Sequence, residues 1–297
     1  MGLSWQQGPL GRHPNGHFVT AAELPERMTF TEPLRRRMRV ELGGGTVAQS
    51  DRVQILYEPA RYPVAYFPLE DLAEGILRPT ERRSEHPDLG ATAWFDVVGA
   101  DGEASRRAAW QHVDPPLAGA SLRDTVAFSW RAMDAFYEED ERILGHAADP
   151  YHRIDIRRSS RNLVAHLGDR VVADTRAALV LYESGFAPRW YVPAGDVAME
   201  DLTLVEGMTF CPYKGLASYY DVGDVHRGAW SYRAPIDEIP RIAGLISFEP
   251  DRVEVTLDGE RLRLEPGQNV VSHGVDRDLS IDEVGGIEIG ADGALRT

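Results

Sequence analysis

Polar and apolar residues alternate along much of the chain, and a period of two marks strands that turn one face to a core. The run Arg-Val-Glu-Leu-Gly from Arg39 to Gly43 carries it, as do Val171–Ala173, Ala178–Tyr182 and Ser218–Val222. Val253–Leu264 carries it on either side of Asp258-Gly259, a pair suited to the positive backbone angles of a two-residue hairpin turn. Helical spacing is local. Asp196 is placed to cap a turn through Met199, and Leu69, Leu72, Ile76 and Leu77 share one helical face. In Val126–Glu141, residues Val126, Trp130, Met133 and Tyr137 stand three to four apart. The matching stretch further on holds Pro250 and continues as a strand, so the reading is strand first and helix afterwards. The fold class expected is mainly β with short helices.

The second regularity is long-range. Val47–Ser50 (Val-Ala-Gln-Ser) matches Val172–Thr175 (Val-Ala-Asp-Thr) at an offset of 125. Leu56-Tyr57-Glu58 matches Leu181-Tyr182-Glu183, and Tyr66-Phe67-Pro68 falls on Tyr191-Val192-Pro193, at the same offset of 125. His86–Gly90 falls on Cys211–Gly215. Beyond a length difference of five the offset becomes 120, which puts Ala109-Trp110 on Ala229-Trp230, Pro115 on Pro235 and Phe128 on Phe248. Ordered matches at two fixed offsets mean duplication. The copies expected are 36–148 and 157–262, preceded by an irregular arm over 1–35 and followed by a C-terminal hairpin or tail over 263–297. On this alignment Gly43-Gly44-Gly45-Thr46 lies opposite Leu167-Gly168-Asp169-Arg170, a hairpin turn rather than a phosphate loop.

Two domains are also what 297 residues suggest. No apolar run is long enough for a membrane span, and the first residues lack the basic and apolar segments of a secretory signal, so cytoplasmic residence with no membrane partner is expected. A single cysteine excludes internal disulfides and a multi-thiolate zinc site, and no metal or cofactor is expected. Arginines cluster at Arg35–Arg37 with Arg39, and at Arg157, Arg158 and Arg161. With a net charge of −15 these read as solvated strand edges, and a long nucleic acid is not an expected partner. A small molecule is. Oligomeric state is left open.

Of 32 basic residues only one is lysine, Lys214, and the only cysteine, Cys211, stands three residues before it. An amine can lose its proton when desolvated and serve as base or nucleophile, which a guanidinium cannot. A thiol beside an ammonium is a second candidate nucleophile. Glu183, at the end of an apolar strand, is placed to pair with Lys214 and set its charge. These three form the candidate catalytic set. Tyr213, Trp230, Tyr232, Arg176, Arg189 and Tyr191 are the candidate ligand-binding residues, the aromatics as walls. The bland alternative makes Cys-Pro-Tyr-Lys-Gly a turn in which Pro212 fixes the backbone and Gly215 supplies a left-handed residue. Trp110 and Trp230 recur in both copies, which favours packing roles for both.

The runs Val171–Arg176, Leu181–Glu183, Arg189–Pro193, Cys211–Gly215 and Ala229–Tyr232 resemble the family called domain of unknown function 427. Met133–Glu141, Asp149–Arg153 and Ser159–Arg161 look like its two-domain bacterial members. The resemblance implies a small β-rich domain of the β-tent type, an architecture shared with methionine sulfoxide reductases of the B type and the ligand-binding domain of cereblon; the zinc-binding cysteines common there are missing here. It also carries a nucleotidyltransferase label, a chemistry that wants a glycine-rich phosphate loop and paired carboxylates for magnesium. The first copy departs from the family block, with His86 for Cys, Asp88 for Tyr and Leu89 for Lys, and its site reads as degenerate. The reading is a small-molecule-binding protein, and an enzyme, with a Lys/Cys site in an aromatic-lined pocket of the second tandem β-tent-like domain. Its rival is a non-catalytic binding module with an aromatic cage; nucleotidyl transfer ranks third. A lysine that only binds should titrate near its usual value, a catalytic one well below.

Overall fold

A computed structural model describes every residue except 1, 5, 6, 12, 60, 265–287, 290–294 and 297. The chain divides after Asp149 into two compact units of antiparallel β-structure. In the first, a seven-stranded sheet runs in the order 30–33, 54–57, 64–68, 125–128, 104–112, 90–98, 77–86. A four-stranded sheet runs 141–143, 135–138, 38–42, 45–50. The second unit repeats both, as 154–158, 179–183, 189–192, 246–248, 225–235, 215–222, 202–211 and 170–175, 163–167, 254–257, 260–261, the small sheet being written from its other edge. Mainly β structure in two repeated halves is what the alternation and the offsets predict. The five-residue difference sits at one hairpin end, where 98–104 lie between the paired Val97 and Ser105 of the first half and 223–224 between the matching Val222 and Val225 of the second.

Alternation explains the layering. In Arg189–Val192, Tyr191 faces one way and Val192 the other. Val192 joins Leu163, Val172, Phe248 and Val255 in a core between large and small sheet. Tyr191 joins Ile156, Leu181, Tyr232 and Ile242 on the opposite face, closed over by residues 236–245. The first half does the same with Phe67, Met38, Val40 and Phe128 inside and Leu56, Tyr66, Leu122 and Leu89 outside.

Three local expectations change. Among the described residues the helical segments are short 3₁₀ turns, such as Leu69–Asp71 and Trp130–Ala132. The helix expected late in Val126–Glu141 is one such turn between strands Thr125–Phe128 and Ala135–Glu138, pinned by Trp130 stacked on Phe136 at 3.7 Å. Asp196 ends rather than caps its turn, and its Oδ2 accepts a bond from Thr175 Oγ1 at 2.6 Å. The expected arm, 1–35, contributes the first edge strand, Phe30–Pro33, paired with Gln54–Tyr57. Most of the expected C-terminal hairpin lies outside the described residues; within it Glu288–Ile289 pairs with Leu295–Arg296. No helix of the described residues is long and apolar enough to cross a membrane.

Candidate functional site

Glu183 is the last residue of strand Leu179–Glu183 and shares a face with Leu181, so its carboxylate enters the layer around Tyr191. Two other elements converge on it. Cys211–Gly215 is the tip of the hairpin joining 202–211 to 215–222, with Lys214 N–H donating to Cys211 O at 3.1 Å and Gly215 at φ 94°. This is the turn that Pro212 and Gly215 suggest, and it also delivers Lys214 to Glu183: the ammonium donates to Oε1 at 2.5 Å and to Oε2 at 2.6 Å. Strand Ile154–Arg158 pairs with Glu183's strand, which brings His152, two residues ahead of it, to 3.1 Å from Glu183 Oε1. Tyr213 stacks on the His152 ring at 3.7 Å.

Lys214 is only 7% exposed, and the His152 and Glu183 side chains are buried with it. Burial by itself would raise the Glu183 carboxyl; Lys214 and His152 outweigh it and hold the group at about 2. Burial likewise works against a charged Lys214, yet Cys211, Glu183 and Tyr191 around it push its pKa above the ordinary lysine value. His152 is lowered, mainly by burial. Burial pushes the Cys211 thiol up, with Lys214 pulling the other way. At neutral pH the cluster is therefore a charged Lys–Glu pair beside a protonated thiol. Around Lys214, Glu183 holds the ammonium, and Tyr191 and Tyr232 pack as core with Trp230 partly buried against them. Trp230 Nε1 donates to the Tyr191 hydroxyl at 3.4 Å, and burial raises Tyr191 to about 12.

Arg189 shares the Tyr191 face, its guanidinium 5.4 Å from the Trp230 ring centroid. It is 6% exposed and donates one long bond, Nη1 to Glu249 Oε1 at 3.4 Å. Its Nη2 has no hydrogen-bond partner among the described residues. Arg189 also borders a narrow cleft of about 10 Å³, room for one water, but the walls Leu163, Trp190, Phe248 and Val255 belong to the inter-sheet core, on the face opposite its guanidinium. Arg176 does not join the group: it is exposed at the end of its strand, where its charge acts on Asp258. His152 is the residue that sequence reasoning missed, because it sits in the connection between the copies without ligand spacing. Carrying the 125 offset back would have placed it opposite Arg27, each a nitrogen side chain just ahead of its half's first strand that meets the buried glutamate.

The first half keeps the carboxylate and changes its partners. Glu58 is buried against Arg27, Arg61 and His86, the last at 2.9 Å, so the position is an ion-pair site in both halves. Leu89, in Lys214's place, is 4% exposed and packs with Leu56, Tyr66 and Leu122. Beside it Trp110 Nε1 donates to the Tyr66 hydroxyl at 3.1 Å, and that oxygen lies 2.9 Å from His112 Nε2. His112 Nδ1 meets Thr92 Oγ1 at 3.0 Å, and Thr92 donates on to Gly90 O at 3.4 Å. The donors run one way through this chain, which makes His112 a neutral ring with its proton on Nδ1. Burial and the nearby His86 lower it to about 4, Glu58 pulling the other way. Gly43 and Gly44, with φ of 64° and 75°, close the hairpin between Met38–Leu42 and Gly45–Ser50, so the glycine run is a turn.

Among the described residues no group of three or more His, Cys, Asp or Glu is placed to hold a metal ion. A family model described as a domain of unknown function (DUF427) matches the chain twice, over residues 30–139 and 155–259. No curated protein matches it.

Proposed function

The chain belongs to the family described as a domain of unknown function (DUF427), in two tandem copies, and from that premise we propose that the second copy is a small-molecule-binding module. Its polar residues are Arg189 against Trp230 and Glu249, and Lys214 with Glu183 in the layer around Tyr191. Arg189 carries the reading. A buried guanidinium whose Nη2 has no partner among the described residues costs free energy that the domain does not recover, and an acceptor oxygen from a bound molecule would recover it. The first half has Val64 at the matching position, so the fold itself does not require the charge.

The geometry supports binding over catalysis. A lysine acting as base or nucleophile needs a free amine, and Lys214 is held charged by both oxygens of Glu183. Cys211 is held as a thiol, the unreactive form. The Lys–Glu pair instead keeps this layer neutral and fixes the ground on which Tyr191 and Trp230 rest. A net charge of −15 leaves long nucleic acids outside the reading, and a cytoplasmic setting with an unpaired cysteine suits it.

Wild-type protein and Arg189→Met, each checked for intact fold by circular dichroism, are screened against a small-metabolite library by thermal shift, with native mass spectrometry for co-purified compounds. At least one compound should raise the wild-type melting temperature and leave that of Arg189→Met unchanged. A library that stabilises neither protein, or stabilises both equally, defeats the proposal.

A further inference from the structure

We infer that the first half carries a binding site of its own: Glu58 and Asp88 form a seat for the guanidinium of a small alkylguanidine, and Arg27, at the end of the arm, is the chain's own occupant of that seat. The duplication shows how the seat differs from its counterpart. At the offset of 125, Leu89 stands for Lys214, Asp88 for Tyr213 and Arg27 for His152. The second half supplies the cation for its buried glutamate from within, on the hairpin tip. The first half lacks that lysine, has a second carboxylate in Asp88, and draws its cation from outside the sheets. Arg27 donates through Nη2 to Glu58 Oε1 and through Nε to Asp88 Oδ2, the latter at 2.7 Å. His86 braces the seat. Its Nδ1 accepts the N–H groups of Asp88 and Leu89, both at 3.1 Å, so its proton lies on Nε2 and is given to Glu58 Oε1 at 2.9 Å. His86 therefore adds no positive charge, and Arg61, mostly exposed, comes no nearer to Glu58 Oε2 than 3.6 Å.

Two observations make Arg27 a displaceable occupant. Residues 13–26 are exposed throughout, and between Gly16 and Met28 the arm's only hydrogen bonds to the rest of the half, among the described residues, are those of Arg27. Its side chain is 33% exposed, as is that of Asp88, so the seat opens to solvent when the arm lifts. The space vacated has the shape of a guanidinium on a slim stem, with a buried carboxylate and a partly exposed one at its edges. A planar fork of N–H donors serves two carboxylates at once. An ammonium offers only a point charge, and a neutral urea of the same outline leaves the buried Glu58 uncompensated. The net charge of −15 draws cations in and disfavours a guanidine that carries its own carboxylate.

The test titrates full-length wild type and Arg27→Ala with n-butylguanidine, n-butylamine and n-butylurea, following amide NMR shifts, and reads hydrogen exchange in peptides covering 13–29. Butylguanidine should bind Arg27→Ala in the millimolar range or tighter and wild type about tenfold more weakly, because a tethered side chain competes at an effective concentration of millimolar order. Butylamine should bind more weakly than butylguanidine, and butylurea should not bind. In wild type, butylguanidine should speed exchange across 13–29 as the arm is released. Adding Asp88→Asn to Arg27→Ala should weaken butylguanidine by about tenfold. Arg27→Gln, which keeps an amide donor while removing the charge, takes the place of Arg27→Ala if the latter does not fold. Butylguanidine that fails to bind the Arg27 variant, butylurea that binds it equally well, or indifference to Asp88→Asn would overturn the seat. Equal affinity for wild type and the Arg27 variant, or binding that leaves exchange across 13–29 unchanged, would overturn Arg27 as its occupant. Arg189 lies in the other half, so the small-molecule reading there stands or falls separately.

Discussion

Replacing Lys214 by methionine keeps the length of the side chain and strands the Glu183 carboxylate without its ammonium in a buried site. Breaking one partner out of such a pair costs about 3–5 kcal/mol, so Lys214→Met should lose stability on that order in urea unfolding. Glu183→Leu combined with Lys214→Met should recover most of it, since removing both charges removes the penalty; a double variant as weak as the single one would show that the pair is not the source. The same carboxylate ties stability to pH. Glu183 sits at about 2 against an ordinary 4.5, so its contribution is complete above 4.5 and drains away as pH falls toward 2. That contribution is roughly 3 kcal/mol, and Glu183→Gln should flatten the acid limb of the stability curve over this window. The pairing of Glu183 with Lys214 was readable in the sequence, because a carboxylate that ends an apolar strand and the chain's one lysine stand in the same copy and only opposite charge would let both be buried. The sign of the outcome was not. Desolvation alone argues for a neutral amine; only the bidentate contact shows that attraction wins.

Hairpins declare themselves because their turns demand residues with unusual backbone angles. Asp258 and Gly259 sit at φ 54° and 85° between strands Glu254–Leu257 and Glu260–Arg261. A Cβ at Gly259 would meet nothing within 4 Å, so Gly259→Ala isolates the backbone penalty, about 1 kcal/mol. Gly195→Ala is the control: it has equal space and no positive φ, and should stay within about 0.5 kcal/mol of wild type. Equal melting temperatures for the two variants would contradict the backbone argument. Helical spacing misled for a related reason. Trp130 and Met133 turn into the core because the chain leaves one sheet, makes a single 3₁₀ turn and enters the other, but there Phe136 points inward and Tyr137 lies on the opposite face beneath Arg39. A segment that short cannot be told from a helix by periodicity.

At the scale of the whole chain, duplication kept strand order and replaced chemistry. Where the second half has Tyr232 beside Tyr191, the first has His112 beside Tyr66. The repeat made the correspondence legible; the hydrogen-bond direction that holds His112 neutral appears only once Thr92, Gly90 and Trp110 are placed around it. This difference should make the halves respond separately to acid. In the unfolded chain a histidine takes up its proton near 6.5, while folded His112 resists until about 4. The unfolded state therefore binds more protons across that window, and the first half loses stability as pH falls through it, by about 2 kcal/mol between pH 7 and pH 5. Glu58 does not explain such a loss, since its carboxyl is lowered and titrates below the window. His152 gives the second half its own response, being lowered as well. His112→Gln separates the two: the amide oxygen can accept from Tyr66 and the amide nitrogen donate to Thr92, with no proton to gain. Hydrogen exchange read by mass spectrometry, corrected for intrinsic rates at pH 7 and pH 5, should show first-half peptides losing protection in wild type and keeping it in His112→Gln. Peptides from 154–257 should be indifferent to the substitution. If the first half of His112→Gln opens in acid as readily as wild type, another group carries the sensitivity and the neutral relay is only packing.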